Sequence, residues 1–262
     1  MCIRDRAYTA LIAYLEEDVF HTHFKNATIV HSLVGFVLSM LLVFRTNTAY
    51  ERWWEGRRVW GAIINNSRNL ALKLSTIVQD PATRQRLKQL LINEVMAMKW
   101  HLRKGFNEAD FEDTDRYTLA AMKQWKHLPN AYLSAIYKEV EELRSSGKLS
   151  GEQLLFINPE LQSFADNMGA CERIQKTPIP YAYSLFLKKV IFLYIFTMPI
   201  GFVSEFGYWS IGIIPLVFYA FAGIEIIAEE IEDPFGQDAN DLPLNRMSNT
   251  VRDNLEEIFG EK

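Results

Sequence analysis

Acidic side chains crowd the stretch "EEIEDPFGQDANDLPL" (229–244), directly after the apolar run "IGIIPLVFYAFAGIEIIA". Carboxylates set among Pro and Gly can hold a hard cation with the help of backbone oxygens, or can solvate a turn. The spacing is not that of an EF-hand: Gly236 follows Asp233-Pro234-Phe235, and the next acids are Asp238 and Asp241. Spacing alone leaves a metal loop and a solvated turn both open. The histidines, His21, His23, His31, His101 and His127, are the other metal-ligating side chains. "HTH" (21–23) has no companion ligand nearby and reads as a surface loop. His31 sits in an apolar block, where it can line a pore or hydrogen-bond across helices. Cys2 and Cys171 form neither a disulfide framework nor a metal cluster, so a reducing compartment is the default. Glycine-rich phosphate loops, HExxH, CxxC and GxSxG are all missing from the sequence. An enzyme holding a metal on Asp238 and Asp241 would lack a companion nucleophile or base.

A second pattern is apolar. Phe36, Met40 and Phe44 recur at i, i+4 and i+8, which is one helix face. Gly35 and Ser39 lie beside them and allow close approach of a neighbouring helix. Several copies of this face around a symmetry axis would make an apolar ring that gates by dewetting. Lipid contact or core packing is the simpler account of the spacing taken alone.

The elements that must position these residues are apolar blocks. With 49% hydrophobic and 23% charged residues in 262, the apolar side chains are concentrated rather than spread. The blocks are 27–44, 185–203 and 208–228, each close to the ~20 residues that span a bilayer. A shorter one, "AYTALIAYL" (7–15), reads as the second half of a helix, with "MCIRDR" extraneous to it. The net charge of −4 argues against a general nucleic-acid binder. Buried core helices of a soluble all-α protein are the alternative to spans. Two features favour a membrane. Only "SEFG" separates the last two blocks, and the flanking charges are asymmetric.

Arg45, Arg52, Arg57, Arg58, Arg68 and Lys73 follow the first block, while Arg173 and Lys176 precede the second. The positive-inside rule then places 45–184 in the cytoplasm and the loops at 16–26 and 204–207 outside. The acidic loop at 229–244 ends up cytoplasmic. One orientation satisfies all four helices, the first being incomplete. Lys188 and Lys189 can snorkel to the cytoplasmic interface, and Glu225 is expected to pair with such a lysine on a neighbouring helix.

Residues 45–184 read as helices without strand alternation. No helix-ending signal precedes "QDPATR", so the first block is expected to continue as one long helix. Pro81 opens another, and further helices break around Ser145–Gly147. The parts are therefore 7–44, the first (partial) and second transmembrane helices; 45–184, a helical cytosolic domain; 185–228, the third and fourth transmembrane helices; and 229–262, the acidic loop with a C-terminal helix.

"FRTNTAYERWWEGRRVWG" (44–61), "CERIQKTPIPYAY" (171–183) and "EEIEDPFGQDANDLPL" (229–244) together resemble the bestrophin family in its bacterial branch. The resemblance runs along nearly the whole chain and covers the first transmembrane helix least. It implies an all-α homopentameric ion channel in the bacterial inner membrane, surrounded by lipid. One central pore would pass a narrow membrane neck and a wide cytosolic vestibule, and the second transmembrane helix would line the neck. The neck positions then fall on Phe36, Met40 and Phe44, the face already singled out by spacing. A second constriction, at the cytosolic exit, falls on Glu152, where the family usually carries an apolar side chain. A ring of carboxylates there would concentrate cations. The permeating ions would be chloride, or sodium and potassium.

Calcium-binding members of the family hold one ion per subunit in the segment matching 229–244. Asp238 and Asp241 carry over, Asp233 can supply a further oxygen, and Glu230 stands where the family offers another carbonyl. Ala239 and Asn240 thin the acidic cluster. The segment is thus expected to be a subunit-joining turn able to hold a cation. No cofactor is required; calcium or another divalent cation is the candidate ligand at 229–241. A membrane scaffold or signalling protein with partner-binding cytosolic helices is the alternative function.

Overall fold

The computed structural model describes residues 2–20 and 27–260, so "HTH" at 21–23 lies outside the described residues. α1 (Cys2–Tyr14) runs into a π-helical turn at Leu15–Phe20. α2 (Ala27–Ile77) is a single helix of 51 residues, as expected where nothing interrupts the chain before "QDPATR". α3 (Pro81–Leu102) starts on Asp80, which accepts the Thr83 amide at 3.0 Å, with Pro81 in the first turn. A 3₁₀ turn (Glu108–Asp110) and the short α4 (Leu119–Met122) lead to α5 (Leu128–Ser145). α6 (Gly151–Lys176) opens with a capping box. Ser150 accepts from the Gln153 amide, and Gln153 accepts from that of Ser150. α7 (Tyr181–Phe206) and α8 (Ser210–Glu232) are joined through a 3₁₀ turn at Gly207–Trp209, and α9 (Leu244–Phe259) closes the described chain. Gly207 takes φ +52°, a left-handed value that lets the chain reverse within a few residues. Among the described residues there is no strand.

The helices form two units, Met1–Arg52 with Pro178–Glu232 and Trp53–Thr177 with Asp233–Lys262. The first unit contains both stretches apolar enough to cross a membrane, the start of α2 and the α7–α8 pair. Its core joins Leu38 and Leu42 of α2 to Leu187, Ile191, Tyr194 and Met198 of α7. Gly35 is what admits α7 this closely: a Cβ there would lie 2.6 Å from the Tyr194 hydroxyl. His31 Nε2 meets Thr197 Oγ1 at 3.2 Å, so of its two sequence readings the structure shows the bond across helices.

In the second unit α3 is buried on nearly every side. Leu87, Leu90, Leu91, Val95 and Met98 pack with α5, α6 and α9. The same helix buries Glu94, whose carboxyl burial pushes well above the usual range, against the opposing Leu133 backbone hydrogen bond. Trp60 of α2 and Phe235 of the acidic loop are fully buried in this unit too.

The candidate ion pathway and its anchoring loop

α2 is two-faced where the neck was expected. Leu38 and Leu42 are 1% and 2% exposed, whereas Phe36, Met40 and Phe44 are 64%, 46% and 58% exposed. Large apolar side chains one turn apart on an open face need a cover other than water: lipid, a neighbouring copy, or a dewetted pore. The structure places the three on one continuous stripe of one helix.

Just past that stripe is Arg45, 1% exposed. Its Nη2 donates to Glu232 Oε2 at 2.6 Å, and its Nε lies 3.8 Å from Glu225 Oε2. Glu232 also accepts the Ile179 amide on Oε1 at 2.7 Å, and its main-chain oxygen accepts from Arg52 Nε at 3.2 Å. One carboxylate at the end of α8 therefore fixes α2 and the segment entering α7. This corrects the expected partner of Glu225. It faces Arg45 on α2, while Lys188 reaches Glu229, at 2.7 Å. The buried arginine lies nearest the buried acid, at ion-pair distance and without a hydrogen bond, while the exposed lysine turns to an exposed acid.

The acidic loop is organised within the second unit. The Asp238 amide donates to Asp241 Oδ2 at 2.6 Å. A Cβ at Gly236 would lie 2.5 Å from that same oxygen, so a side chain there would displace the Asp241 carboxylate. Arg103, at the end of α3, donates to the Phe235 carbonyl (3.2 Å), the Leu242 carbonyl (3.2 Å) and Asn245 Oδ1 (3.1 Å). Trp53 Nε1 donates to the Asn240 carbonyl at 3.0 Å. Burial pushes the Asp241 carboxyl up, with Asp238 and Asp233 adding to this and the Asp238 amide and Arg103 opposing it. Beside the loop lies a cavity of about 320 Å³ lined by Trp100, Arg103, Asp238 and Asp241 among others.

Calcium takes six to eight oxygens. One acceptor here, Asp241 Oδ1, is buried without a hydrogen-bond partner and is the atom a cation would take. The Phe235 and Leu242 carbonyls already accept from a guanidinium, whose charge opposes a second cation. Asp233, Asp238 and Asp241 are not among the described residues whose ligand atoms converge within 4.8 Å. The donor set fits a turn held by Arg103 better than a calcium cage. Glu230 lies on α8 and belongs to the other unit.

Glu152 is exposed in the first turn of α6, beside a cavity of about 490 Å³ lined also by Ile77, Ser150, Gln153 and Phe156. Sequence reasoning missed Arg103 and Glu232. An arginine straight after an apolar block was a visible signal for Arg45. Nothing local marks Arg103, whose partners lie more than 130 residues away.

Known proteins agree with this geometry. The family described as bacterial/fungal bestrophin protein matches residues 5–257. A voltage-dependent anion channel-forming protein of Nostoc is 40% identical over 232 residues, covering 86% of this chain and 75% of its own. One from Escherichia coli K12 is 30% identical, covering 92% and 80%. A crystal structure of a bacterial bestrophin homologue from Klebsiella pneumoniae, phased on zinc, superposes with a TM-score of 0.91. It is 29% identical and covers 100% of this chain and 98% of that one.

Proposed function

The chain belongs to the bacterial and fungal bestrophin family, and we propose that it is a passive anion channel of the bacterial inner membrane, assembled as a homopentamer. The observation that carries this reading is the open stripe Phe36, Met40, Phe44 on a membrane helix whose other face is packed. Five such stripes around an axis cover one another and leave a dry, narrow neck. Aromatic ring edges carry partial positive charge and favour anions, although Met40 supplies none. That relatives are named anion channel-forming proteins supports the ion class.

Below the neck, α2 continues into a cytosolic vestibule, and Glu152 lines the exit. Five carboxylates there concentrate cations and reduce the preference for anions. The loop at 233–243 anchors the start of the vestibule through Arg103. Calcium is not needed to hold it, and a divalent cation would bind by taking Asp241 Oδ1.

The test is reconstitution into bilayers under asymmetric sodium chloride, with and without calcium. Phe36→Ala with Phe44→Ala should raise ion flux, Glu152→Ala should shift the reversal potential toward the chloride value, and calcium should leave the current unchanged. Native mass spectrometry in detergent should give five chains. A scaffold protein would show no flux in any variant.

A further inference from the structure

Outside the ion pathway, three side chains from three helix ends meet at one point. His101 is in the last turn of α3, His127 is the residue before α5, and Glu172 is in the last two turns of α6. His101 Nε2 lies 2.7 Å and His127 Nε2 2.8 Å from the same oxygen, Glu172 Oε1. The two rings are 4.3 Å apart between centroids. One donor atom from each residue falls within 4.8 Å of the other two, and all three side chains are part-exposed, so an ion can reach them from solvent.

We propose that His101, His127 and Glu172 form a binding site for a divalent transition metal of the zinc class, through the two Nε2 atoms and one carboxylate oxygen, with water completing the shell. Two imidazoles and a carboxylate suit zinc, which takes nitrogen and oxygen at about 2.0–2.2 Å in a tetrahedron. Hard cations prefer oxygen alone, so calcium and magnesium are disfavoured. Without metal, each imidazole donates an N–H to the shared oxygen. The metal replaces both bonds and needs each Nε2 to move away from the shared oxygen by roughly half an ångström or more.

Two further contacts prepare the site. Lys176 Nζ holds Glu172 Oε2 at 3.0 Å and so leaves Oε1 facing the histidines. His127 Nδ1 accepts the Asn130 amide at 3.1 Å, which puts its proton on Nε2 in the metal-free form. Coordination at Nε2 moves that proton to Nδ1 and releases one capping bond. No net proton is lost, and the three metal bonds outweigh the cap. The metal would pin the ends of α3, α5 and α6 together.

The variant that separates binding from folding is His127→Asn, because asparagine is itself a good helix cap. Purified full-length protein in detergent would be titrated with zinc by calorimetry, alongside His127→Asn, His101→Asn and Glu172→Gln. Wild type should bind one zinc per chain and melt at a higher temperature with it. Each variant should lose at least about 100-fold in affinity, and the melting shift with it, since even second-shell changes cost 10–100-fold. Zinc K-edge absorption should show imidazole scattering in wild type. The proposal is overturned if wild type takes up no zinc, or if His127→Asn and His101→Asn bind it as wild type does while retaining its metal-free melting temperature.

Discussion

The two units solve the same problem with opposite surfaces. In the membrane unit a helix packs one face and leaves large apolar side chains open on the other, Phe36 and Phe44 among them. In the helical unit α3 is enclosed on nearly every side, and the exposed side chains of α5 and α6 are largely polar or charged. The polar groups are handled differently too. The membrane unit buries Arg45 against Glu225 and Glu232. The helical unit has a buried pair as well, Arg86 with Glu139, and adds several exposed ones such as Arg116 with Glu142 and Arg144 with Glu141. Where water is absent, an unpaired charge is costly and few are kept; where water is near, each exposed pair contributes little.

The largest effect should come from breaking the buried cluster. Glu232→Ala leaves Arg45 and the Ile179 amide without their acceptor, and should cost about 3–5 kcal/mol in detergent unfolding. A wild-type unfolding curve would mean that the cluster is not buried as described. A similar contrast holds for leucines. Leu90→Ala, in the enclosed core, should cost about 2–5 kcal/mol, whereas Leu33→Ala, on the open stripe side of α2, should stay within about 0.5 kcal/mol. Equal losses would erase the distinction between the two surfaces.

Arg103→Gln is the intermediate case. It strands the Phe235 and Leu242 carbonyls, and about 1–3 kcal/mol of stability should go with it, read in the same unfolding assay. Added calcium should not restore it.

The smallest effect is in pH. Burial holds His101 below the usual imidazole value of 6.5, against the pull of Glu172. Burial pushes the Glu172 carboxyl up, but hydrogen bonds from Lys176, His127 and His101 more than offset this and bring it from 4.5 to about 2. Both folded values lie below the unfolded ones. The His101 contribution is therefore complete above pH 6.5 and fades on acidification. That of Glu172 is complete above pH 4.5 and fades toward about 2. The melting temperature should fall as pH drops below 6.5, and less steeply below that value in His101→Gln.

Helix boundaries were legible because their causes are local. Pro81 reads as the start of α3 and Ser145–Gly147 as the break after α5, where Gly147 takes φ +73°; the Asp80 cap and the Ser150–Gln153 capping box are local signals that the structure added. The stripe Phe36, Met40, Phe44 needed only the helical period, and Gly35 declared a close neighbour without saying which. Tyr194 supplied the answer. The partner of Glu225 was misjudged for a related reason: a sequence shows that an acid in an apolar run needs a cation, but Arg45 and Lys188 both qualify. Only packing puts the arginine against it.

By itself, then, the sequence determined the apolar spans, the long helix and its open face, since each follows from period or length counted along the chain. Tertiary structure alone decided that Arg103 holds the acidic loop, that Glu232 gathers three segments, and that His101 and His127 share one oxygen of Glu172. Those pairs are separated by 45 to 187 residues. No local propensity links side chains so far apart; the helices that carry them must first dock.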